Sequence, residues 1–181
     1  MMCRPVVMEF GWKHLTKDEV VGKRVLEVGS YDVNGSLRGQ VLALDPADYL
    51  GVDMREGPGV DEVCNAGELL DRYGPESFDV VISTEMLEHV EDWPLALHNL
   101  KGVLRTGGVL LLTTCTPGFP KHDYPGDFWR FTGEDMERIF GDLVVEDLIV
   151  DRQQCGVFLF GRKPRDFAEK DLAGEQVQAV E

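Results

Sequence analysis

The stretch VLEVGSYDVNG, residues 25–35, decides the fold that the rest of the chain is expected to adopt. A continuous apolar run leads into Gly29, which is typical of a strand buried on both faces of a parallel sheet. A dinucleotide-binding loop would continue as GxGxxG, because pyrophosphate oxygens must approach successive backbone amides. Residues 30–33 read SYDV instead. Three interpretations follow: a damaged dinucleotide loop, a loop for a different cofactor, or an ordinary strand-to-helix turn.

Similar apolar runs recur along the chain and alternate with segments of helical periodicity. Short runs rich in Val, Leu and Ile suit the strands of a parallel sheet covered on both faces. The last two runs are separated only by RQQC, which predicts a hairpin and an antiparallel edge. The fold class is therefore predicted as α/β, doubly wound and Rossmann-like, with helices on both faces. The runs are 24–30, 49–54, 78–84, 107–115, 143–151 and 156–162.

The length and composition indicate one domain. A chain of 181 residues with 43% hydrophobic residues is long enough to bury a core. We predict a single domain over residues 1–163, with an N-terminal segment (1–20) and a lid-like loop (116–131). The polar segment 164–181 has no clear apolar stripe, so we expect a frayed tail.

The charge and the cysteines exclude several classes of function. A formal net charge of −15 disfavours nucleic acid and anionic membranes as partners, because both are bound through basic side chains. The four cysteines form no CxxC pair, which argues against a disulfide framework or a zinc site. The N-terminus lacks a secretory apolar segment, and no run reaches about 18 apolar residues. We expect a cytoplasmic protein.

Polar residues at successive strand ends predict the ligand. Ligands of open α/β sheets bind outside the carboxyl ends of the strands, at the switch point. Glu27 would repel phosphate and attract an amine or a cation, Asp53 suits ribose hydroxyls, and Asn65 suits an adenine edge. Taken singly, each is equally compatible with a structural role. Together they describe S-adenosylmethionine.

These residues lie in motifs that resemble the class I S-adenosylmethionine-dependent methyltransferases, particularly the compact type 11 group. The matching pieces are VLEVGS, YLGVDM, FDVVISTEMLEHVEDWPLALHNLKGVLRTGGVLLLTT and the final pair of strands, together covering about residues 20–162. The resemblance implies a seven-stranded, mostly parallel sheet whose last strand is antiparallel and inserted beside the sixth.

The resemblance also implies a set of cofactor contacts. Residues of the first motif would meet the methionine part, with Tyr31 either turned outward or closed over it. The loop departs from the family pattern E/DxGxGxG, since only Gly29 is kept in register. The implied cofactor residues are Glu27, Gly29, Ser30, Tyr31, Asp53, Met54, Asn65, Ala66, Ser83, Thr84 and Glu85.

The segment EMLEHV offers a second kind of site. On a helical turn, two carboxylates and an imidazole share one face and suit a divalent cation such as magnesium. This ExxEH pattern resembles the metal-binding motif of ubiquinone-pathway O-methyltransferases and of HEN-type small-RNA 2′-O-methyltransferases, in which a further histidine completes the site. The alternative is that these residues only hold the loop. The candidate ligands are Glu85, Glu88, His89 and His122.

The loop TPGFPKHDYPGDFWRF, residues 116–131, combines aromatic side chains with titratable ones. Such a loop is expected to cover the cofactor or the substrate, because its aromatic side chains would be costly as bare surface. His122 is the first candidate for a general base, with Asp123 or Asp127 orienting it or Tyr124 substituting for it.

These observations favour a methyltransferase that transfers a methyl group to an O or N atom of a small molecule. The substrate pocket is expected to be formed by the N-terminal segment, where Trp12 and His14 would face the substrate, together with the 116–131 loop. The alternative is that an oligomer or a partner protein supplies it. One alternative is a metal-assisted RNA 2′-O-methyltransferase, which the acidic charge opposes. The other is a non-catalytic S-adenosylmethionine-binding or scaffold domain.

Overall fold

In the computed structural model, which describes residues 5–33, 35–122 and 126–180, seven strands form one sheet in the order β3-β2-β1-β4-β5-β8-β7. The first five strands of that order run parallel, and β8 is antiparallel to both of its neighbours. Two further strands, β6 and β9, pair with each other. The strands are β1 (Arg24–Val28), β2 (Asp48–Asp53), β3 (Glu62–Val63), β4 (Phe78–Thr84), β5 (Leu104–Cys115), β6 (Trp129–Arg130), β7 (Val144–Asp151), β8 (Gly156–Arg162) and β9 (Gln178–Ala179).

This sheet confirms the predicted doubly wound fold with an antiparallel last strand. The hairpin pattern alone had placed the antiparallel strand at the sheet edge, but β8 lies between β5 and β7. That is the arrangement that the family resemblance implied. The switch point, where the strand order reverses, falls between β1 and β4.

Among the described residues, six α-helices cover the two faces of the sheet, and side chains cap the first turn of two of them. The Asp92 carboxylate accepts a hydrogen bond from the amide of Leu95 (3.1 Å), and Thr132 forms a capping box with Asp135. The helices are α1 (Pro5–His14), α2 (Lys17–Val20), α3 (Arg38–Leu42), α4 (Leu69–Tyr73), α5 (Trp93–Val103) and α6 (Gly133–Ile139).

The sheet separates two apolar cores because successive strand residues point to opposite faces. In β1, Leu26 and Val28 pack with α4, α5 and α6, whereas Val25 packs with α1 and α3. The other central strands alternate in the same way. No helix in the described ranges is long and apolar enough to cross a membrane.

Two buried lysines hold the end of α5. The Lys101 ammonium donates to both carboxylate oxygens of Asp142 (2.8 and 2.7 Å) and to the carbonyl of Ile139. The Lys163 ammonium donates to the carbonyls of Lys101 and Leu104, which neutralises the negative end of the helix. Burial lowers the pKa of Lys101, and Asp142 opposes that shift.

The segment after residue 163 packs against the domain, where a frayed tail was expected. Leu172 is buried in the core beside α5 and α6. Its charged side chains also find partners, as in the Arg138–Glu175 pair. Strand β9 then pairs with β6. The physical reason is that a few apolar residues and paired charges are enough to hold this segment, which we call the strap, against the domain. It needs no apolar stripe of helical spacing to do so.

We predict that Asp142→Ala lowers the free energy of unfolding by about 3–5 kcal/mol, because Lys101 would remain buried without its counter-charge. Urea denaturation measures the change. The exposed Asp71 on α4 provides the control, and Asp71→Ala should shift stability by no more than about 0.5 kcal/mol. Equal losses in the two variants would contradict the assignment of Lys101–Asp142 as a stabilising pair.

Candidate functional site

The loops that follow β1 and β4 pass within van der Waals contact at the switch point. Gly29 has a φ of +81°, and a Cβ atom there would lie 2.6 Å from Cγ of Met86. The next loop is held by Glu85, which has a φ of +53° and whose amide donates to the carbonyl of Thr113 (2.9 Å). A left-handed conformation costs a non-glycine residue about 1–2 kcal/mol. Each loop therefore contains a residue with a positive φ, a backbone conformation that is unfavourable for residues with a side chain.

The backbone amides of the first loop are used within the protein. The amides of Gly29 and Ser30 both donate to the carbonyl of Val52 (2.9 and 3.0 Å). The amide of Tyr31 donates to Oδ2 of Asp53 at 3.3 Å. In a phosphate-binding loop these groups would point at the ligand. The arrangement agrees with the prediction that this loop does not serve a diphosphate.

Tyr31 is turned toward the connection between β2 and β3. Its ring occupies the space beside Gly57, where a Cβ atom would lie 1.9 Å from a ring carbon. The guanidinium of Arg55 lies 4.4 Å from the ring centroid, within cation–π range. The sequence left open whether this ring points outward or covers the cofactor, and in the structure it packs over Gly57 and Arg55.

Glu27 is buried on the side of the sheet that carries α3, with 2% of its surface exposed. The hydroxyl of Tyr49 donates to its Oε2 atom, and the hydroxyl of Ser36 donates to Oε1 at 3.4 Å. Burial raises the pKa of Glu27 to about 7, although these two hydrogen bonds oppose the shift. Both carboxylate oxygens therefore have partners inside the protein, and sequence reasoning missed Tyr49.

The remaining predicted cofactor residues surround the ends of β2 and β4. Met54 follows Asp53 and is 57% exposed, which is high for an apolar side chain. The side chain of Asn65 accepts a hydrogen bond from the amide of Gly67 (2.9 Å) and caps the short 3₁₀-helix Ala66–Glu68. Asn65 thus has the structural role that the sequence allowed as an alternative, and it lies two residues after β3.

Two serine hydroxyls are buried in this region without a hydrogen-bond partner among the described residues. Ser30 follows β1, and Ser83 lies near the end of β4. Buried hydroxyls are usually bonded, so an unpaired one suggests a partner that the protein itself does not supply. Thr84 and Glu85, which continue from Ser83, extend the same edge toward β5.

The predicted metal residues form two overlapping groups. Ligand atoms of Glu88, His89 and His122 all lie within 4.8 Å of one another. Glu85 is absent from this group and instead joins Glu88 and Cys115. The fully buried Glu88 accepts hydrogen bonds from Thr114 Oγ1 (2.8 Å) and Cys115 Sγ (3.2 Å). The four candidate ligands therefore lie near one another, but they do not form a single group that could bind one ion together.

His122 is oriented by a buried carboxylate. Its Nδ1 atom lies 2.9 Å from Oδ2 of Asp127, and its ring packs edge-on against His89. Arg130 binds both oxygens of Asp127. Burial of Asp127 acts to raise its pKa, but the bonds from Arg130 and from the His122 amide lower it to about 2. Asp123 and Tyr124, the other catalytic candidates, lie outside the described residues.

His14 does not lie free beside a pocket. Its Nε2 atom is 2.8 Å from Oδ2 of Asp147, and its ring stacks on Phe160. These contacts fasten α1 to the sheet. Trp12 on the same helix is 58% exposed, so it stays a candidate for substrate contact.

The burial of Glu27 predicts a pH-dependent stability. Its pKa of about 7 in the folded protein exceeds the ordinary value of 4.5, so the folded state binds the proton more tightly. Its contribution is complete below pH 4.5 and is lost as pH rises through 7. Relative to Glu27→Gln, the wild-type protein should lose about 3 kcal/mol of unfolding free energy between pH 4.5 and 8. Urea denaturation of both proteins measures this, and parallel pH curves would contradict it.

Comparison with known proteins agrees with this architecture. A family model described as a methyltransferase domain matches residues 27–112. A ubiquinone biosynthesis O-methyltransferase from Idiomarina loihiensis is 34% identical over 123 residues, covering 61% of this chain and 49% of the relative. The chain spans about half the length of the curated relatives that it matches.

Solved structures share the fold at low sequence identity. One is 1,6-didemethyltoxoflavin-N1-methyltransferase from Burkholderia thailandensis with bound 1,6-didemethyltoxoflavin and S-adenosylhomocysteine (TM-score 0.62, 18% identity, covering 90% of this chain and 78% of that one). Another is a methyltransferase complexed with the Trm112 methyltransferase activator from Haloferax volcanii (TM-score 0.62, 15% identity, covering 86% and 90%). The strand order, the motifs and the methyltransferase-domain match over residues 27–112 together support the resemblance to the class I S-adenosylmethionine-dependent methyltransferases.

Proposed function

We propose that the protein transfers a methyl group from S-adenosylmethionine to an O or N atom of a small molecule. The observation that carries this proposal is the meeting of Gly29, Asp53 and Ser83 at the carboxyl ends of three adjacent strands. That edge combines a close backbone approach, a carboxylate and unpaired buried hydroxyls. These features suit a nucleoside ligand without a diphosphate.

The proposed cofactor contacts follow from these positions. Asp53 would bind the ribose hydroxyls, Met54 would pack on the adenine face, and Asn65 with Ala66 would meet the adenine edge. Glu27, Gly29, Ser30 and Tyr31 would form the side nearest the methionine part. Ser83, Thr84 and Glu85 would line the opposite side. When bound, the cofactor supplies a methyl group on a sulfonium, whose thioether is a good leaving group.

The chain would contribute alignment and proton removal. Holding an acceptor in line with the methyl group can supply about 7–11 kcal/mol of the barrier. His122 would act as the general base, because Asp127 fixes its Nδ1 side and is itself fixed by Arg130. This pairing of a base with an orienting carboxylate supports acceptors that must lose a proton, such as hydroxyls and amines.

A metal-assisted variant of the same reaction is favoured by one specific observation. Ligand atoms of Glu88, His89 and His122 lie within 4.8 Å of one another, so one carboxylate and two imidazoles could hold a single divalent cation. Magnesium prefers oxygen ligands, whereas imidazole nitrogens suit transition metals. In that variant His122 would bind the cation rather than take the proton. RNA as the acceptor is less well supported, because a net charge of −15 opposes phosphate contacts.

The relatives suggest the acceptor class and a partner. The matched curated proteins carry the name of an O-methyltransferase of ubiquinone biosynthesis, and one structural neighbour is an N1-methyltransferase. A small aromatic or heteroaromatic acceptor is consistent with both. A second neighbour was solved with an activator protein, which supports a partner or a second copy completing the pocket.

We predict that the protein binds S-adenosylhomocysteine and that Asp53→Asn weakens this binding about tenfold or more, because a charged hydrogen-bond acceptor is lost. Isothermal titration calorimetry measures the affinity, with Asp71→Asn as a control expected to leave it unchanged. Failure of the wild-type protein to bind would overturn the proposal. Binding without turnover on any hydroxyl or amine acceptor would favour the scaffold alternative.

A second prediction separates a general base from a metal ligand. His122→Gln should lower kcat by about 10²- to 10⁴-fold if the imidazole removes the proton. Turnover is followed through release of S-adenosylhomocysteine, with and without a chelator. If His122 is the general base and no metal is used, the wild-type protein should stay active after treatment with a chelator. Loss of activity on chelation that magnesium restores, together with a similar loss in Glu88→Gln, would instead support the metal-assisted variant.

A further inference from the structure

The first loop is fixed by side chains that the sequence analysis did not assign to the site. Tyr49 on β2 donates its hydroxyl hydrogen to Oε2 of Glu27, directly before the loop. Ser36 at the other end of the loop donates to Oε1 of the same carboxylate and accepts from the amide of Arg38. One buried carboxylate therefore ties the start of the loop to its end.

Arg38 forms the second half of this arrangement. Its guanidinium binds both oxygens of Asp61 (2.7 and 2.8 Å) and donates to the carbonyl of Gly59 at 3.0 Å. The same guanidinium lies 4.9 Å from the ring centroid of Tyr49. Asp61 also accepts from the amide of Gly51 (2.7 Å). Arg38 thus joins the beginning of α3 to β2 and to the segment that leads into β3.

The packing around these contacts leaves little freedom. A Cβ atom at Gly51 would lie 2.5 Å from the Gly59 carbonyl oxygen and 2.9 Å from Oγ of Ser30. The loop therefore lies directly against the side chains and backbone that Arg38 and Asp61 hold. A change in that support would move Ser30 and the amides beside it.

We infer that Tyr49, Arg38 and Asp61 are positioning residues that hold the first loop in its cofactor-binding conformation. In a glycine-rich loop, the ligand contacts the backbone directly. This loop carries the side chains of residues 30–33 (SYDV), so its backbone must be held in one conformation that keeps them out of the ligand's way. Apparent affinity falls in proportion to the fraction of molecules whose loop is competent. The inference rests on the proposed function, because it takes the cofactor to bind beside this loop.

The test uses Tyr49→Phe, which removes only the hydroxyl, and Arg38→Lys, which removes the bidentate contact. Each should raise the dissociation constant for S-adenosylhomocysteine about tenfold in calorimetry. Hydrogen exchange of amides 29–32 should accelerate, while that of β5 amides stays unchanged. The control is Tyr73→Phe, since Tyr73 packs on Phe78 at the opposite end of β4. It should change neither quantity.

Two results would overturn the inference while leaving the proposed function intact. One is wild-type affinity in both variants, provided that the wild-type protein binds the ligand. The other is faster exchange throughout the sheet, which would show a general loss of stability. If the wild-type protein does not bind, the proposed function fails. The exchange of amides 29–32 then still decides whether these side chains hold the loop.

Discussion

The contact between Gly29 and Met86 is the constraint on which the rest of the site depends. At the switch point the loops after β1 and β4 approach so closely that residue 29 has no space for a side chain. Because they meet there, the polar residues that follow three different strands share one edge. Glu85 accepts a left-handed backbone to make the approach possible, and Thr113 on β5 holds it in place.

The hydrogen bonds of the first loop explain which class of ligand it suits. In a phosphate-binding loop the backbone N–H groups point toward the ligand and are not used in hydrogen bonds within the protein. Glycine allows the backbone conformation that this requires. Here the amides of Gly29, Ser30 and Asp32 bond to carbonyls of β2 and of the connection after it. At the same edge of the sheet, the loop offers the hydroxyl of Ser30 and β2 offers the carboxylate of Asp53. The absence of GxGxxG therefore reflects a different use of the backbone.

The fold was largely predictable because its signals are local. Continuous apolar runs mark the strands, and the caps at Asp92 and Thr132 need only neighbouring residues. Tyr49 could not be recognised in the same way, since its contact with Glu27 joins two strands across 22 positions. Likewise, the carboxylate that orients His122 could not be chosen from among the nearby aspartates, because spacing within an irregular loop does not fix which side chain turns inward. Periodicity also fails for the tail, whose apolar residues follow no helical or strand repeat.

The tail bears directly on the site, because it supports the segment that orients His122. Strand β9 pairs with β6, and the amide of Val180 donates to the carbonyl of Phe128. Strand β6 contains Arg130, which holds Asp127, which in turn contacts His122. On its other side this segment is fastened to the EMLEHV loop, since the Phe128 amide donates to the carbonyl of Glu88. The position of the candidate base thus depends on contacts from both the centre of the sheet and the last described residues. The strap that buries Leu172 in the core therefore also supports the segment that holds the candidate base.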